Sequence, residues 1–207
     1  MVKILLIRHS MTAGNKLGRY IGARTDEPLC EEGIRLLENF SYPPVQRVFV
    51  SPMRRCRETA EILFPGAKKE TEEHLKECDF GIFENKNYQE LSGEPRYQAW
   101  IDSNGTLPFP EGESQKMFQK RCVEGFARCV EQCLKEKLHT AAFVVHGGTI
   151  MSILSACADP GRSYFEWQVK NAQGYEVWAE ETKWRDSQKI EVTGKYTQEG
   201  FRCLKNY

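Results

Sequence analysis

VKILLIRHSMTAGN, residues 2–15, contains an apolar run, Val2 to Ile7, that stops abruptly at Arg8 and His9. A short run this apolar is typical of a strand that is buried on both faces, as in a parallel sheet. A single His at the end of a strand is more often a structural residue than a catalytic one, so the rest of the chain must decide what Arg8 and His9 do.

Two further apolar runs also end on polar residues. RVFVS, residues 47–51, ends at Ser51 and is followed by Arg54 and Arg55, while AAFVV, residues 141–145, is followed by His146. A helical pattern follows each run, which predicts an α/β fold with a mainly parallel sheet and crossover helices. Because ligands bind at the carboxyl ends of the strands in such sheets, these polar residues predict one functional site.

The remaining elements complete one predicted domain over residues 1–207. A closing hairpin is predicted from GYEVWAEE and KIEVTGKY, joined by the polar segment TKWRDSQ. The segment at about residues 84–112 is rich in aromatic residues and turn formers, and it is interpreted as a short helical insertion over the sheet. The predicted helices are Glu31–Phe40, Arg54–Phe64, Glu113–Lys137 and Thr149–Ala158.

Composition favours a globular protein with no strong overall charge. Lys plus Arg and Asp plus Glu are balanced at 29 each, so no overall charge attracts the chain to nucleic acid or to a membrane surface. The first strand leaves no room for a signal peptide, and we expect a cytoplasmic protein. The eight cysteines include no CxxC pair. Cys122, Cys129 and Cys133 recur with helical spacing and are interpreted as small core residues in a reducing compartment, not as metal ligands.

Six sequence blocks, in order, resemble the histidine phosphatase superfamily, also called the phosphoglycerate mutase-like family. LIRHSMTAGN resembles its Arg-His-Gly-x-Thr-x-x-Asn signature, and VVHGGT resembles its second His motif. The four blocks between them are YIGARTDEPLCEEG, SPMRRCRETA, LKECDFGIFEN and PEGES. The resemblance covers nearly the whole chain and implies a three-layer α/β/α fold in which the insertion lies over the active site.

The resemblance also implies a role for each matching residue. His9 is the implied nucleophile, and Glu77 is the implied proton donor. Arg55 is preferred to Arg54 because it lies four residues after Ser51, where the family keeps its arginine. The implied phosphate clamp is Arg8, Arg55 and His146, and the implied phosphate- or substrate-binding residues are Asn15, Ser10, Gly22 and Gly147.

These roles describe a metal-independent phosphomonoesterase without a cofactor. Guanidinium groups and His146, protonated because the bound phosphate raises its pKa, would neutralise the phosphate. Neutral His9 would attack it to form a phosphohistidine. Glu77 would protonate the leaving oxygen and then activate water. The phosphatase branch that resembles α-ribazole phosphatase is the preferred assignment. A phosphoglycerate mutase and a non-catalytic phosphate-binding module are the alternatives.

Some residues keep two interpretations. Ser10 stands where the family has Gly, and its hydroxyl would either donate to a phosphate oxygen or crowd it. The cations Lys16, Arg19 and Arg24 either guide an anionic substrate or are solvated loop residues. The insertion aromatics either line the substrate pocket or pack the insertion onto the body of the protein; they are Tyr88, Tyr97, Trp100 and Phe109.

Overall fold

The computed structural model describes residues 1–204; the last three residues of the predicted domain, 205–207, lie outside the described residues. Its sheet has seven strands in the order β3-β2-β4-β1-β5-β6-β7. The strands are β1 Val2–Arg8, β2 Arg47–Val50, β3 Lys68–Thr71, β4 Thr140–Val145, β5 Gly174–Ala179, β6 Glu191–Thr197 and β7 Gly200–Cys203.

The four strands β3, β2, β4 and β1 run parallel, and β5, β6 and β7 continue the sheet with antiparallel pairing. The predicted α/β class with a parallel core is therefore confirmed. The α-helices are α1 Ala13–Lys16, α2 Glu31–Leu37, α3 Arg54–Leu63, α4 Pro95–Asp102, α5 Gln115–Lys135, α6 Gly147–Cys157 and α7 Glu181–Ser187.

Strand β1 is buried on both faces, as its composition predicts. Ile4 and Leu6 pack with Phe126 of α5 and the residues of α6 in one core cluster. Leu5 and Ile7 point to the other face, where they belong to the core cluster that includes residues of α3. Successive side chains of a strand point to opposite faces, so an uninterrupted apolar run suits a sheet that is covered by helices on both sides.

The closing segment differs from the predicted hairpin. Strands β5 and β6 pair antiparallel, but the polar segment between them forms helix α7, whose Trp184 is buried against Phe126. The Glu180 carboxylate caps this helix by accepting from the backbone N–H groups of Thr182 and Lys183. Trp184 therefore anchors α7 to the core. The polar composition of the rest of the segment gave no indication of this helix.

The insertion contains helix α4, as predicted, and it packs through aromatic rings. Trp100 of α4 stacks on Phe109 with ring centroids 5.0 Å apart, and Tyr20 and Phe83 meet Trp100 edge-on. Tyr88 stays 66% exposed. Packing thus explains Trp100 and Phe109, and the same two side chains also line a cavity that is described below.

Candidate active site

The two histidines that the sequence placed at strand ends lie side by side. Strands β1 and β4 are neighbouring parallel strands, and Arg8 is in register with Val145. His9 and His146 therefore emerge at the same edge of the sheet, with ring centroids 5.2 Å apart and the rings edge to face. Both side chains are buried. Two rigid strands thus hold both imidazoles.

The hydrogen bonding of His9 fixes its tautomer. Its Nδ1 lies 2.6 Å from the carbonyl oxygen of Ser10, and because a carbonyl can only accept, Nδ1 carries the hydrogen. Burial, with the nearby charges of Arg55 and Arg8, holds the pKa of His9 well below its ordinary value of 6.5. Neutral His9 therefore has its lone pair on Nε2, as a nucleophile requires.

Two guanidinium groups bring positive charge to the same place. Arg55 of α3 is fully buried and donates to the carbonyl oxygens of Thr25 at 2.7 Å and Gly22 at 3.1 Å. Arg8 donates to the carbonyl oxygen of Val169 at 2.9 Å. Neutral carbonyls orient both groups without cancelling their charge, which leaves a potential that attracts an anion.

Arg54 and Arg55 separate as the sequence predicts. The Arg54 side chain is 55% exposed and its Nε pairs with Glu58 at 2.6 Å, on the surface of α3. Arg55 is the arginine that points into the buried site and lowers the pKa of both histidines. The spacing from Ser51, not the identity of the residue, distinguishes the two.

His146 is fully buried and hydrogen-bonded to a side chain of β2's carboxyl end. Its Nε2 lies 2.7 Å from the Ser51 hydroxyl. Burial lowers its pKa well below the ordinary value of 6.5, and the charge of Arg55 adds to the effect. Without a bound anion these surroundings favour the neutral ring, and the protonated donor expected with bound phosphate stays a prediction. A phosphate dianion would supply the opposite charge that raises this pKa.

Glu77 is a buried carboxyl group held between two backbone donors. Its Oε1 accepts from the N–H of Cys78 at 2.9 Å, and its Oε2 accepts from the N–H of Gly148 in the first turn of α6 at 3.2 Å. Burial raises the pKa of Glu77 above its ordinary value, although both N–H groups and the charge of Arg55 oppose the shift. Such a carboxyl group is suited to give a proton to the leaving-group oxygen of a bound ester.

Sequence reasoning missed the side chain that positions the Glu77 loop. The guanidinium of Arg121 on α5 pairs with both oxygens of the Glu113 carboxylate, at 2.9 and 2.7 Å. It also donates to the backbone carbonyls of His74 at 2.8 Å and Lys76 at 3.0 Å. Arg121 thus fixes the chain just before Glu77 to the long helix. An arginine in an amphipathic helix gives no sequence signal of this role.

Asn171 is a second residue that the sequence did not reveal. Its side-chain amide donates to the carbonyl oxygens of His9 at 3.1 Å and Ser10 at 3.2 Å, and it lies 3.1 Å from the Asn15 side-chain oxygen. The segment that leads into β5 therefore holds the loop after β1. Asn15, expected to contact phosphate, takes part in this positioning network.

The polar hydrogens of Ser10 are directed to groups within the protein. The Ser10 hydroxyl donates to the carbonyl oxygen of Gly33 at 2.6 Å, and its N–H donates to the Thr59 hydroxyl at 3.0 Å. Both hydrogens are thus used inside the protein, because the side chain turns towards α2. Ser10 therefore takes part in the site through its carbonyl oxygen, which orients His9.

The two predicted glycines play different steric roles. A Cβ atom on Gly22 would lie 2.2 Å from a Glu84 carboxylate oxygen and 2.3 Å from the Cys78 carbonyl oxygen, so a side chain there does not fit. Gly147 begins α6, and its N–H has no partner within the helix. Gly22 therefore allows close packing beside Arg55, whereas Gly147 presents a backbone donor next to His146.

The three peripheral cations are paired with carboxylates. Lys16 pairs with Glu32, Arg19 with Glu90 at 2.6 Å, and Arg24 with Asp79 at 2.7 Å. Each is a partly exposed pair whose charge is largely cancelled locally. This arrangement supports a structural role for these three cations in the loops around the site.

The site brings together two histidines, two guanidinium groups and a buried acid, a set of groups suited to an anionic ligand. The sequence profile of the histidine phosphatase superfamily (branch 1) matches residues 4–188. The chain belongs to this superfamily, which confirms the resemblance identified from its six sequence blocks.

Its relatives carry the names of two activities. A protein of Yersinia pestis named probable phosphoglycerate mutase GpmB is 27% identical over 195 residues, which are 89% of this chain and 88% of that protein. A phosphoglycerate mutase structure from Thermus thermophilus is 28% identical, with TM-score 0.64, over 85% of this chain and 92% of that one. The α-ribazole phosphatase structure from Shigella flexneri has TM-score 0.75 over 98% and 96%, at 20% identity, and shows the shared fold.

Residues 1–204 lack two other kinds of feature. They contain no group of three or more His, Cys, Asp or Glu side chains placed to hold a metal ion. No helix among them is both long enough and apolar enough to cross a membrane. The eight cysteines are all free thiols, and the stripe on α5 is buried in the core as predicted.

Proposed function

We propose that the protein is a metal-independent phosphomonoester hydrolase that acts through a phosphohistidine on His9. The observation that carries this proposal is the pairing of opposite proton requirements in one buried site. Nε2 of His9 is kept unprotonated, and the pKa of Glu77 is raised so that this carboxyl group can hold a proton. A nucleophile and an acid with pKa values displaced in these directions fit in-line displacement at phosphorus.

The proposed reaction has two displacements. His9 Nε2 attacks phosphorus, the bond from phosphorus to the ester oxygen breaks, and Glu77 gives its proton to that oxygen. Water then attacks the phosphohistidine, gives its proton to Glu77, and releases inorganic phosphate. Arg8 and Arg55 hold the equatorial oxygens throughout, and His146 becomes their third cationic partner when the bound phosphate raises its pKa.

Phosphoglycerate mutase activity is the second candidate, since relatives carry that name. A mutase must hold a substrate carboxylate and a second phosphate, and it must keep water from the phosphohistidine. The insertion at residues 84–112 has one lysine and one arginine, Lys86 and Arg96. Arg96 pairs with Glu94 at 3.0 Å, and Arg19 and Arg24 also face carboxylates. These pairs favour hydrolysis.

Two assays test the proposal. Release of phosphate from p-nitrophenyl phosphate in the presence of EDTA would exclude a purely binding module and a requirement for metal. Incubation with 3-phosphoglycerate, with and without 2,3-bisphosphoglycerate, separates the two enzymatic activities. We expect inorganic phosphate to accumulate. If 2-phosphoglycerate forms much faster than phosphate, the hydrolase assignment is wrong.

We also propose that the protein works in the cytoplasm on a small molecule, without a nucleic-acid or membrane partner. Eight free thiols, seven of them at least partly buried, fit a reducing compartment. The balanced charge of the chain supports the same proposal. Fractionation of the cells that make the protein would test the location.

A further inference from the structure

A cavity of about 510 Å³ opens beside Glu77, between the insertion and the turn at Tyr164–Trp167. Glu77 is buried, whereas Ile101 and Phe165 are 43% and 69% exposed, so Glu77 lies at the inner end and these two residues at the mouth. The Gly148 N–H that holds Glu77 belongs to the same wall. The ester oxygen that Glu77 would protonate therefore lies at the inner end of the cavity, where the cavity meets the phosphate site.

The walls of the cavity are largely aromatic and aliphatic. Trp100 and Phe109 of the insertion, stacked on each other at an interplanar angle of 29°, form part of one side. Met151 of α6 and Phe165 belong to the side that α6 and the adjacent turn contribute. The lining also includes two uncharged polar side chains, Asn104 and Gln115, and four further aromatic ones, Tyr20, Phe80, Phe118 and Tyr164. A cavity of this volume and composition is typical of a pocket for a drug-sized apolar ligand.

The cavity differs from the phosphate site in its charge. Among residues 1–204, no Lys, Arg or His lines it, and Glu77 is the one acidic residue in its wall. A carboxylate or a second phosphate placed there would lose its hydration without gaining a cationic partner. Arg121, whose guanidinium lies over the ring of the lining residue Phe118, pairs with Glu113. The cations of the insertion and the neighbouring loop, Arg19, Arg24 and Arg96, are also paired with carboxylates. The cavity therefore selects against anionic leaving groups.

We propose that this cavity is the leaving-group subsite, and that the substrates are phosphomonoesters whose alcohol carries a flat, uncharged aromatic group and no second anionic group. The inference rests on the proposed hydrolase function, because that function makes the group attached to the ester oxygen the one that enters the cavity. Aromatic walls favour a ring through stacked and edge-on contacts in addition to apolar burial.

The test compares two esters whose leaving groups are both primary alcohols, so that leaving-group acidity does not decide the rates. The esters are 2-(1-naphthyl)ethyl phosphate and ethyl phosphate, with 3-phosphoglycerate as the anionic comparison. We expect kcat/KM to be at least about tenfold higher for the naphthyl ester, since burial of one ring system against apolar walls supplies more than the ~1.4 kcal/mol that tenfold requires. The difference should lie mainly in KM. Equal values, or a preference for 3-phosphoglycerate, would overturn the inference.

Variants on both walls locate the effect. Trp100→Ala should lower the naphthyl preference about tenfold, since one wall of the cavity is removed. Phe165→Ala should lower it as well, and because Phe165 is exposed this change does not threaten folding. Tyr88→Ala is the matched control, because Tyr88 lies in the same insertion, is exposed and does not line the cavity. A preference that Phe165→Ala leaves intact, or that Tyr88→Ala lowers equally, would contradict the assignment.

A binding measurement separates this inference from the proposed function. Wild-type protein is titrated calorimetrically with 1-naphthylmethylphosphonate, which cannot be hydrolysed. We expect this compound to bind more tightly than methylphosphonate does, and we expect Phe165→Ala to weaken its binding. Such binding without hydrolysis of any ester would support the subsite and refute the hydrolase. Hydrolysis without preferential binding of the naphthyl compound would support the hydrolase and refute the subsite.

Discussion

Adding one methyl group to Gly148 should remove Glu77 from its working position. A Cβ atom there would lie 2.4 Å from Glu77 Oε1, and Cβ atoms essentially never approach a heavy atom within 3.0 Å, so the carboxyl group must retreat by about 0.6 Å (3.0 minus 2.4). It would also strain the hydrogen bond from the Gly148 N–H to Oε2. Misplacement of a catalytic group by ~1 Å costs ~10²-fold, so we expect Gly148→Ala to slow an alkyl phosphate by about 10- to 100-fold.

The assay compares leaving groups. Alkyl phosphates need the proton from Glu77, whereas nitrophenolate leaves with little help, so p-nitrophenyl phosphate should slow by less than about threefold. Gly147→Ala is the matched control, because its Cβ would find its nearest atom, Arg8 Nε, at an ordinary 3.5 Å. It should leave the ratio of the two rates unchanged. Equal slowing of both substrates by Gly148→Ala, or the same change of ratio in both variants, would refute the reasoning.

Three more predictions concern the acid and its surroundings. Glu77→Gln should slow alkyl phosphates by ~10²- to 10⁴-fold and p-nitrophenyl phosphate far less, measured as kcat for each ester; equal slowing would count against a general acid. Arg121→Met, which removes the anchor of the Glu77 loop, should shift the same ratio in the same direction, while Arg128→Met, on the same helix and paired with Glu72 at 2.7 Å, should not. On the alkaline side, kcat/KM should fall as Glu77 loses its proton at its raised pKa. On the acid side, it should fall only well below pH 6.5, where His9 gains a proton. The alkaline limb should disappear in Glu77→Gln.

The parallel core of the sheet was predictable because its strands are buried on both faces. β1, β2 and β4 are mainly apolar, with Lys3 the one polar residue between Val2 and Ile7, and each is confirmed within a residue or two. β3, with the sequence KKET, was missed because it lies at the edge of the sheet, where charged residues are tolerated and even protective. β7 is the exposed opposite edge and was missed for the same reason. The sequence pattern therefore identified the strands that are buried in the centre of the sheet, and it missed the exposed strands at its two edges.

The candidate site shows a similar division. Arg8, His9, Arg55 and His146 follow apolar strands, so topology alone brings them near one edge of the sheet. Glu77 lies in a loop between short elements, and only the family resemblance pointed to it. The positioning contacts of Asn171 and Arg121 depend on loops that return to the site from distant parts of the chain. No local pattern encodes such contacts.

The protonation states depend on burial, which a motif does not report. His146 is expected to be cationic only with phosphate bound, and its full burial beside Arg55 favours the neutral ring until an anion arrives. Ser10 is a comparable case, because its hydroxyl is directed to Gly33 by the packing of α2 against the loop after β1. In both cases the three-dimensional surroundings, and not the motif, determine the protonation or the hydrogen bonding of the side chain.

The most direct test is to locate the phosphoryl group during turnover. The protein is mixed with p-nitrophenyl phosphate, quenched in alkali to preserve phosphohistidine, and analysed by peptide mass spectrometry and by nuclear magnetic resonance of the modified imidazole. Because Nδ1 of His9 is held by the Ser10 carbonyl at 2.6 Å, the account predicts a phosphoryl group on Nε2 of His9, and none at this site in His9→Ala. A phosphoryl group on Nδ1 or on another residue, or turnover by His9→Ala at the wild-type rate, would contradict it.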